Sequence, residues 1–191
     1  MAKREKSVRI IAGEWRGTRI AIPIGTMVRP TPDRARETLF NWLNPAIVGA
    51  RCLDLFAGTG VLGLEALSRG AKEVWFVETE ASLISALRKR IADLDADATV
   101  IREDVAGFLK GPAKEPFDVV FLDPPYDLSL EPILAQLSPW LAPRARIYVE
   151  RPQTQGAGES LEQAGAVLSG AALVKESRAG QVCYGLLALE E

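Results

Sequence analysis

The 191-residue chain contains no histidine. Ser-His-Asp triads, Cys-His pairs, HExxH zinc sites and haem axial histidines all need an imidazole, so this chemistry is excluded. Acid–base work falls to carboxylates, Lys, Tyr or the substrate itself. Cysteine is scarce: Cys52 and Cys183 lie far apart in apolar runs and make neither a CxxC pair nor a ligand cluster. Both read as buried small hydrophobes in a reducing compartment, and no metal is expected. Long apolar runs are missing as well. Nothing approaches the ~18 residues of a membrane span, and the charged start MAKREKSVRI is followed by no apolar stretch. These absences point to the cytoplasm.

What is present suits one globular domain with a short appendage, at roughly 150 residues per domain. A 48% hydrophobic composition supplies a sizeable core and excludes disorder of the whole chain. The net charge of −2 conceals an asymmetry. Residues 1–40 hold nine basic and four acidic groups, whereas the rest hold 14 basic and 21 acidic. A basic end on an acidic body suggests a polyanionic partner.

The runs Val8–Ala12 and Trp15–Ile22, separated by Gly13-Glu14, read as a β-hairpin arm over residues 1–30, decorated by Arg9, Arg16 and Arg19. In Arg29-Pro30-Thr31-Pro32-Asp33-Arg34, Thr31 suits an N-cap and Pro32 a first helical position. Ala35, Leu39 and Trp42/Leu43 then recur at helical spacing to about residue 43. From residue 51 the pattern alternates. Strands are predicted at 51–56, 73–78, 98–102, 117–122 and 145–149, with helices near 61–69, 80–92, 104–110 and 129–141. Such βαβ units require a parallel sheet covered on both faces. After a loop at 151–158, strands near 171–178 and 181–189 flank Ala179-Gly180 as a hairpin. The expected fold is a seven-stranded, mostly parallel α/β sheet whose last strand is antiparallel. Residues 31–191 form its domain.

Asp54-Leu55-Phe56-Ala57-Gly58-Thr59-Gly60 leads from the first parallel strand into a glycine turn, and Gly63 allows the next helix to pack closely on the sheet. Phe56, Ala57, Gly58, Thr59 and Gly60 are thus candidates to cradle a nucleotide cofactor. The glycines alone do not choose between a dinucleotide and S-adenosylmethionine. Asp54 helps, because a carboxylate there would repel a pyrophosphate but accept hydrogen bonds from an ammonium group. Glu78, 18 residues past Gly60, ends the next strand where a carboxylate can take both ribose hydroxyls. Asp104, with Val105 beside it, ends the third strand near an adenine amine.

Phe117–Leu122 delivers Asp123-Pro124-Pro125-Tyr126 to the carboxyl edge of the sheet. Two prolines prevent a helix from starting, leaving backbone carbonyls to face a ligand. Asp123 and the Pro124 carbonyl form an acceptor pair for the two N–H bonds of a planar amine, and Tyr126 offers a ring for base stacking. An aryl amine is a poor nucleophile because its lone pair is delocalised. Holding both N–H groups out of the ring plane restores that density toward a methyl donor.

These motifs, with Arg9-Ile10-Ile11-Ala12-Gly13, Arg16-Gly17, Arg29 to Arg34 and Arg36-Glu37, resemble the RsmD-type 16S rRNA guanine-N2 methyltransferases, a family named for guanine 966. The resemblance spans residues 9 to 126 in order; its N-terminal pair of motifs is the more specific part. It implies S-adenosylmethionine as cofactor and a partly assembled small ribosomal subunit as substrate. It also implies Asp123 to Tyr126 as the catalytic turn, with Arg9, Arg16, Arg19, Arg29 and Arg34 meeting phosphates or covering the cofactor. A monomer is expected. Adenine-N6 methylation of DNA or RNA stays open, since the same turn fits any exocyclic amine. An NAD-dependent oxidoreductase leaves Asp123 to Tyr126 unexplained, and a non-enzymatic assembly factor is the remaining alternative.

Overall fold

The computed structural model describes residues 6–26, 32–125, 127–152 and 160–190. Seven strands form one sheet: β3 (Arg51–Asp54), β4 (Glu73–Glu78), β5 (Ala98–Arg102), β6 (Phe117–Leu122), β7 (Leu141–Pro152), β8 (Ala171–Ala179) and β9 (Val182–Leu189). Their order is β5-β4-β3-β6-β7-β9-β8. The first five run parallel and β9 is antiparallel to both neighbours, as the alternation predicts. The order reverses beside β3, so the carboxyl ends of β3 and β6 open at a topological switch point, where α/β sheets bind ligands.

One face of the sheet is covered by α1 (Asp33–Ile47), α2 (Val61–Ser68) and α3 (Ala81–Asp93), the other by α4 (Val105–Lys110), α5 (Glu131–Leu137) and α6 (Leu161–Val167). Every residue of α2 is buried, and Gly70 ends it with a left-handed φ of +97°. Among the described residues no helix is long and apolar enough to cross a membrane.

Several local expectations need correction. Helix α1 starts at Asp33, because Pro32 has an extended ψ of 142° and serves as the N-cap; Thr31 lies outside the described residues. The helix expected over 129–141 stops at Leu137, followed by a short 3-10 turn at Ser138–Trp140 and an early start of β7. Helix α6 fills a stretch where no element was predicted, held by a capping box between Ser160 and Gln163. Cys52 is buried, but Cys183 is half-exposed, at the start of β9 next to the β8–β9 turn. Its thiol contacts Glu176 Oε1 at 3.0 Å.

The predicted hairpin exists with shorter ladders, β1 (Ser7–Arg9) and β2 (Arg19–Ala21). Between them the chain is tied to α2 instead. Ile11 and Ala12 donate to Glu65 at 2.7 and 3.0 Å, and Glu14 and Trp15 donate to Ser68 at 2.7 and 2.9 Å. Val8, Ile10, Ile20 and Ile22 join the core beneath α1 and α2. A Cβ on Gly13 would stand 1.8 Å from the Ser68 carbonyl oxygen, so only glycine permits this approach.

Candidate active site

A cleft of about 1300 Å³ opens along the carboxyl edge of the sheet, where the ends of β3, β4, β6 and β7 meet the β8–β9 turn and the start of α1. Asp54, Phe56, Ala57, Gly58, Thr59, Glu78, Asp104, Val105, Asp123, Pro124 and Pro125 all line it. Tyr126 and Arg29 lie outside the described residues. Gly60 stands behind the wall: its φ of +76° turns the chain into α2, and a Cβ there would meet Leu87 at 2.4 Å. A Cβ on Gly63 would meet the Phe76 ring at 2.2 Å, which accounts for the close packing of α2 on β4.

Backbone amides fix three of the acids that line the cleft. Glu78 accepts from Gly58 at 2.8 Å through one oxygen, and from Thr79 and Glu80 at 2.7 and 2.9 Å through the other. The Thr79 hydroxyl adds a longer contact of 3.4 Å to the second oxygen, so acceptor capacity toward the cleft lies on the oxygen that meets Gly58. Asp104 caps α4 by accepting from Gly107 at 2.8 Å. Asp54, 2% exposed, accepts from Gly63 at 3.3 Å. Burial pushes its carboxyl up to about 7; the Gly63 hydrogen bond opposes this, the nearby Glu78 charge adds to it, and a hydrogen bond from Phe56 opposes it.

The cleft is charged unevenly. Of its carboxylates, Asp54 and Glu150 are buried, Glu78 and Asp123 half-buried, and Glu80, Glu103 and Asp104 exposed, while its lining cations, Arg34 and Arg178, are both exposed. Such an excess of acids disfavours a pyrophosphate and suits a cofactor with ammonium and sulfonium charges. The remaining arginines of the sequence reading are elsewhere. Arg9, Arg16 and Arg19 are exposed on the hairpin, and Arg9 pairs with Asp33 at 3.1 Å. Arg36 is fully buried, bonding Asp33 at 2.6 Å and the Arg9 carbonyl at 2.9 Å.

Sequence reasoning missed Glu150 and Arg178. Neither stands in a local motif, and both reach the cleft only because β7 pairs with β6 and the β8–β9 turn folds back over the edge.

The sheet order, the glycine turn and the Asp-Pro-Pro turn in one cleft define a Rossmann-like, S-adenosylmethionine-dependent methyltransferase fold. The family model described as Conserved hypothetical protein 95 matches residues 8–187, and the chain belongs to this family, the RsmD type that its motifs resemble. It is 44% identical over 185 residues to Ribosomal RNA small subunit methyltransferase D of Escherichia coli K12, covering 94% of this chain and 88% of that protein. The protein of the same name from Haemophilus influenzae is 49% identical over 150 residues, 75% of this chain and 78% of the relative. A solved Escherichia coli structure, yhhF, described as a suggested methyltransferase, superposes with a TM-score of 0.84 at 41% identity. That match covers 97% of this chain and 99% of the other.

Proposed function

We propose that the chain methylates the exocyclic N2 amine of a guanine in 16S rRNA, acting in the cytoplasm as a monomer on the small ribosomal subunit or a late assembly intermediate. The observation that carries this reading is the opening of Asp123-Pro124-Pro125 into the same cleft as the glycine turn and Glu78. The names of the relatives support ribosomal RNA as the substrate.

The cofactor is S-adenosylmethionine, which supplies an electrophilic methyl group when bound. In this reading Glu78 takes the ribose hydroxyls, Asp104 the adenine amine and Asp54 the ammonium group, with Phe56 to Thr59 and Val105 shaping the pocket around them. Asp123 and the Pro124 carbonyl accept the two N–H bonds of the guanine amine and hold them out of the ring plane. Nitrogen lone-pair density returns at the position where it is used, and Pro125 keeps the turn from relaxing into a helix. Tyr126 stacks on the base. No histidine base is required, because the amine nitrogen becomes acidic once alkylated. The N-terminal segment of residues 1–30, through Arg9, Arg16 and Arg19 on the hairpin and through Arg29, meets RNA phosphates together with Arg34.

Labelled methyl transfer to small subunits lacking the modification, run beside naked 16S RNA and DNA and followed by nuclease digestion and mass spectrometry, tests the reading. N2-methylguanosine from subunits is the expected product. Label in adenine or in DNA overturns the choice of base, and no label in any substrate favours a non-enzymatic assembly role.

A further inference from the structure

The sheet edge places a second carboxylate beside Asp123 that the scheme above does not use. Strands β6 and β7 run parallel with Leu122 opposite Val149. The next residues, Asp123 and Glu150, therefore follow on adjacent strands, and both line the cleft. Glu150 is only 5% exposed. Its Oε2 accepts a 2.7 Å hydrogen bond from the Tyr148 hydroxyl. Tyr148 is wholly buried, its ring 6.2 Å from that of Tyr184, which in turn lies 5.6 Å from Trp42. Burial first, then the charges of Glu150 and Asp123, push the phenol well above its ordinary range, so Tyr148 remains a donor and holds the carboxylate in one orientation.

Purine edges differ where a group beside Asp123 would read them. Guanine presents its N1–H next to the N2 amine, two donors in a row. Adenine presents an N1 lone pair next to its amine. A fixed carboxylate adjoining the amine holder is matched to the first edge and repels the second. We propose that Glu150 selects guanine by accepting the hydrogen bond from N1–H, with Tyr148 as its positioning residue. The inference rests on the guanine-N2 reading and adds the residue that chooses the base. A site built to pair a substrate N–H rejects an analogue lacking it by as much as about 10⁴-fold, because its own buried polar group is left unpaired.

The analogue 2-aminopurine separates the two features, since it keeps the N2 amine and carries a lone pair at N1. Small subunits are reconstituted with 2-aminopurine in place of the guanine that the wild-type protein methylates. The wild type is expected to methylate them with kcat/KM at least about 100-fold below that for guanine. Glu150→Gln keeps an oxygen for the Tyr148 hydroxyl and gains an amide donor for N1. It is expected to lose activity on guanine, gain on 2-aminopurine and move the ratio by about 100-fold. Tyr148→Phe leaves the carboxylate but removes its holder, so the ratio moves the same way by a smaller factor. The fluorescence of 2-aminopurine reports capture of the base without added cofactor, and is expected to respond more strongly to Glu150→Gln than to the wild type.

A ratio that stays fixed in Glu150→Gln, with cofactor binding retained, overturns the role of Glu150 and leaves the guanine-N2 reading standing. Should that variant fail to fold, a fixed ratio in Tyr148→Phe overturns it equally. Methylation of adenine by the wild type, or of no RNA, overturns the guanine-N2 reading and this inference with it.

Discussion

Two buried carboxylates lie along α2, and the chain treats them differently. Glu65 accepts from the backbone of Ile11 and Ala12 and from Arg69 Nε at 2.8 Å, with Arg36 Nη1 at 3.5 Å. Two guanidiniums and two amides compensate its burial. Asp54, below the start of the same helix, has the amides of Gly63 and Phe56 but, among the described residues, no cation in contact, and its carboxyl is pushed up to about 7. The carboxylate that ties the hairpin to α2 is given its cations by the chain, whereas the one that lines the cleft is not, which fits the proposed role of Asp54 in receiving the ammonium group of the cofactor. Buried charges are tolerated when paired and become costly when a partner is removed.

Breaking the pairing of Glu65 is the largest effect to expect. Glu65→Ala leaves Arg36 buried with one carboxylate fewer and orphans two hairpin amides; denaturant unfolding is expected to show a loss of about 3–5 kcal/mol. A loss below about 1 kcal/mol would mean that the pairing contributes little to stability. Asp123→Ala should lower kcat by about 10²–10³-fold, the scale of losing one preorganised polar partner. Cofactor affinity by titration calorimetry should stay unchanged, and a fall in affinity alone would move Asp123 to the binding side of the comparison.

Asp54 sharpens the contrast through pH. Its folded pKa of about 7 lies above the ordinary 3.8, so its contribution to stability is full below about pH 4 and is lost as pH rises through 7. Asp54→Asn should flatten the decline in stability across that window. An ammonium group arriving beside Asp54 favours the ionised form, so cofactor binding near pH 6 should release a proton and strengthen toward pH 8. Calorimetry in buffers of different ionisation enthalpy measures that proton, and its persistence in Asp54→Asn would assign it to another group. The smallest effect concerns the hairpin that Glu65 anchors. Replacing Arg9 and Arg16 by Gln should reduce the log–log salt dependence of RNA affinity by about one for each phosphate that the hairpin no longer neutralises. An unmoved slope would leave those arginines to the fold, a role Arg9 already has through Asp33.

Legibility in the sequence followed the range over which each signal acts. Apolar strand runs, the glycine turn and Gly70 are local signals, and the seven-stranded, mostly parallel sheet with an antiparallel last strand that they imply agrees with the structure, whereas the strand order was not legible in them. Helix α6 carried its own local sign, Ser160 three residues before Gln163, overshadowed by the Gly- and Pro-containing stretch before it. Pro32 was misplaced by one position because its fixed φ suits both the cap and the first helical turn. Asp54, Glu78, Asp104 and Asp123 were readable from their place at strand ends, and all four line one cleft. Glu150 and Arg178 were not, since their positions depend on which strand pairs with which. The burial of Arg36 was equally hidden: its motif looked like part of a cationic surface, while Asp33 and Glu65, from two different helices, draw it inward.

The uneven charge of the cleft has a consequence for the shape in which a substrate can enter. Asp54 and Glu150 are buried in it and Glu78 and Asp123 half-buried, whereas Arg34 and Arg178, which supply its cations, are exposed. A nucleic acid approaching it meets attraction for its phosphates at those guanidiniums and repulsion beyond them, so the backbone stops there and only an uncharged base continues inward. A stacked, paired nucleotide does not expose its amine to such a depth. With Asp123 in its proposed role, the target is single-stranded or swung out of its helix before it reaches that residue, at a cost of a few kcal/mol that is smallest where the RNA is already unpaired. The fold of the RNA thus shares with the protein the task of deciding which base is offered.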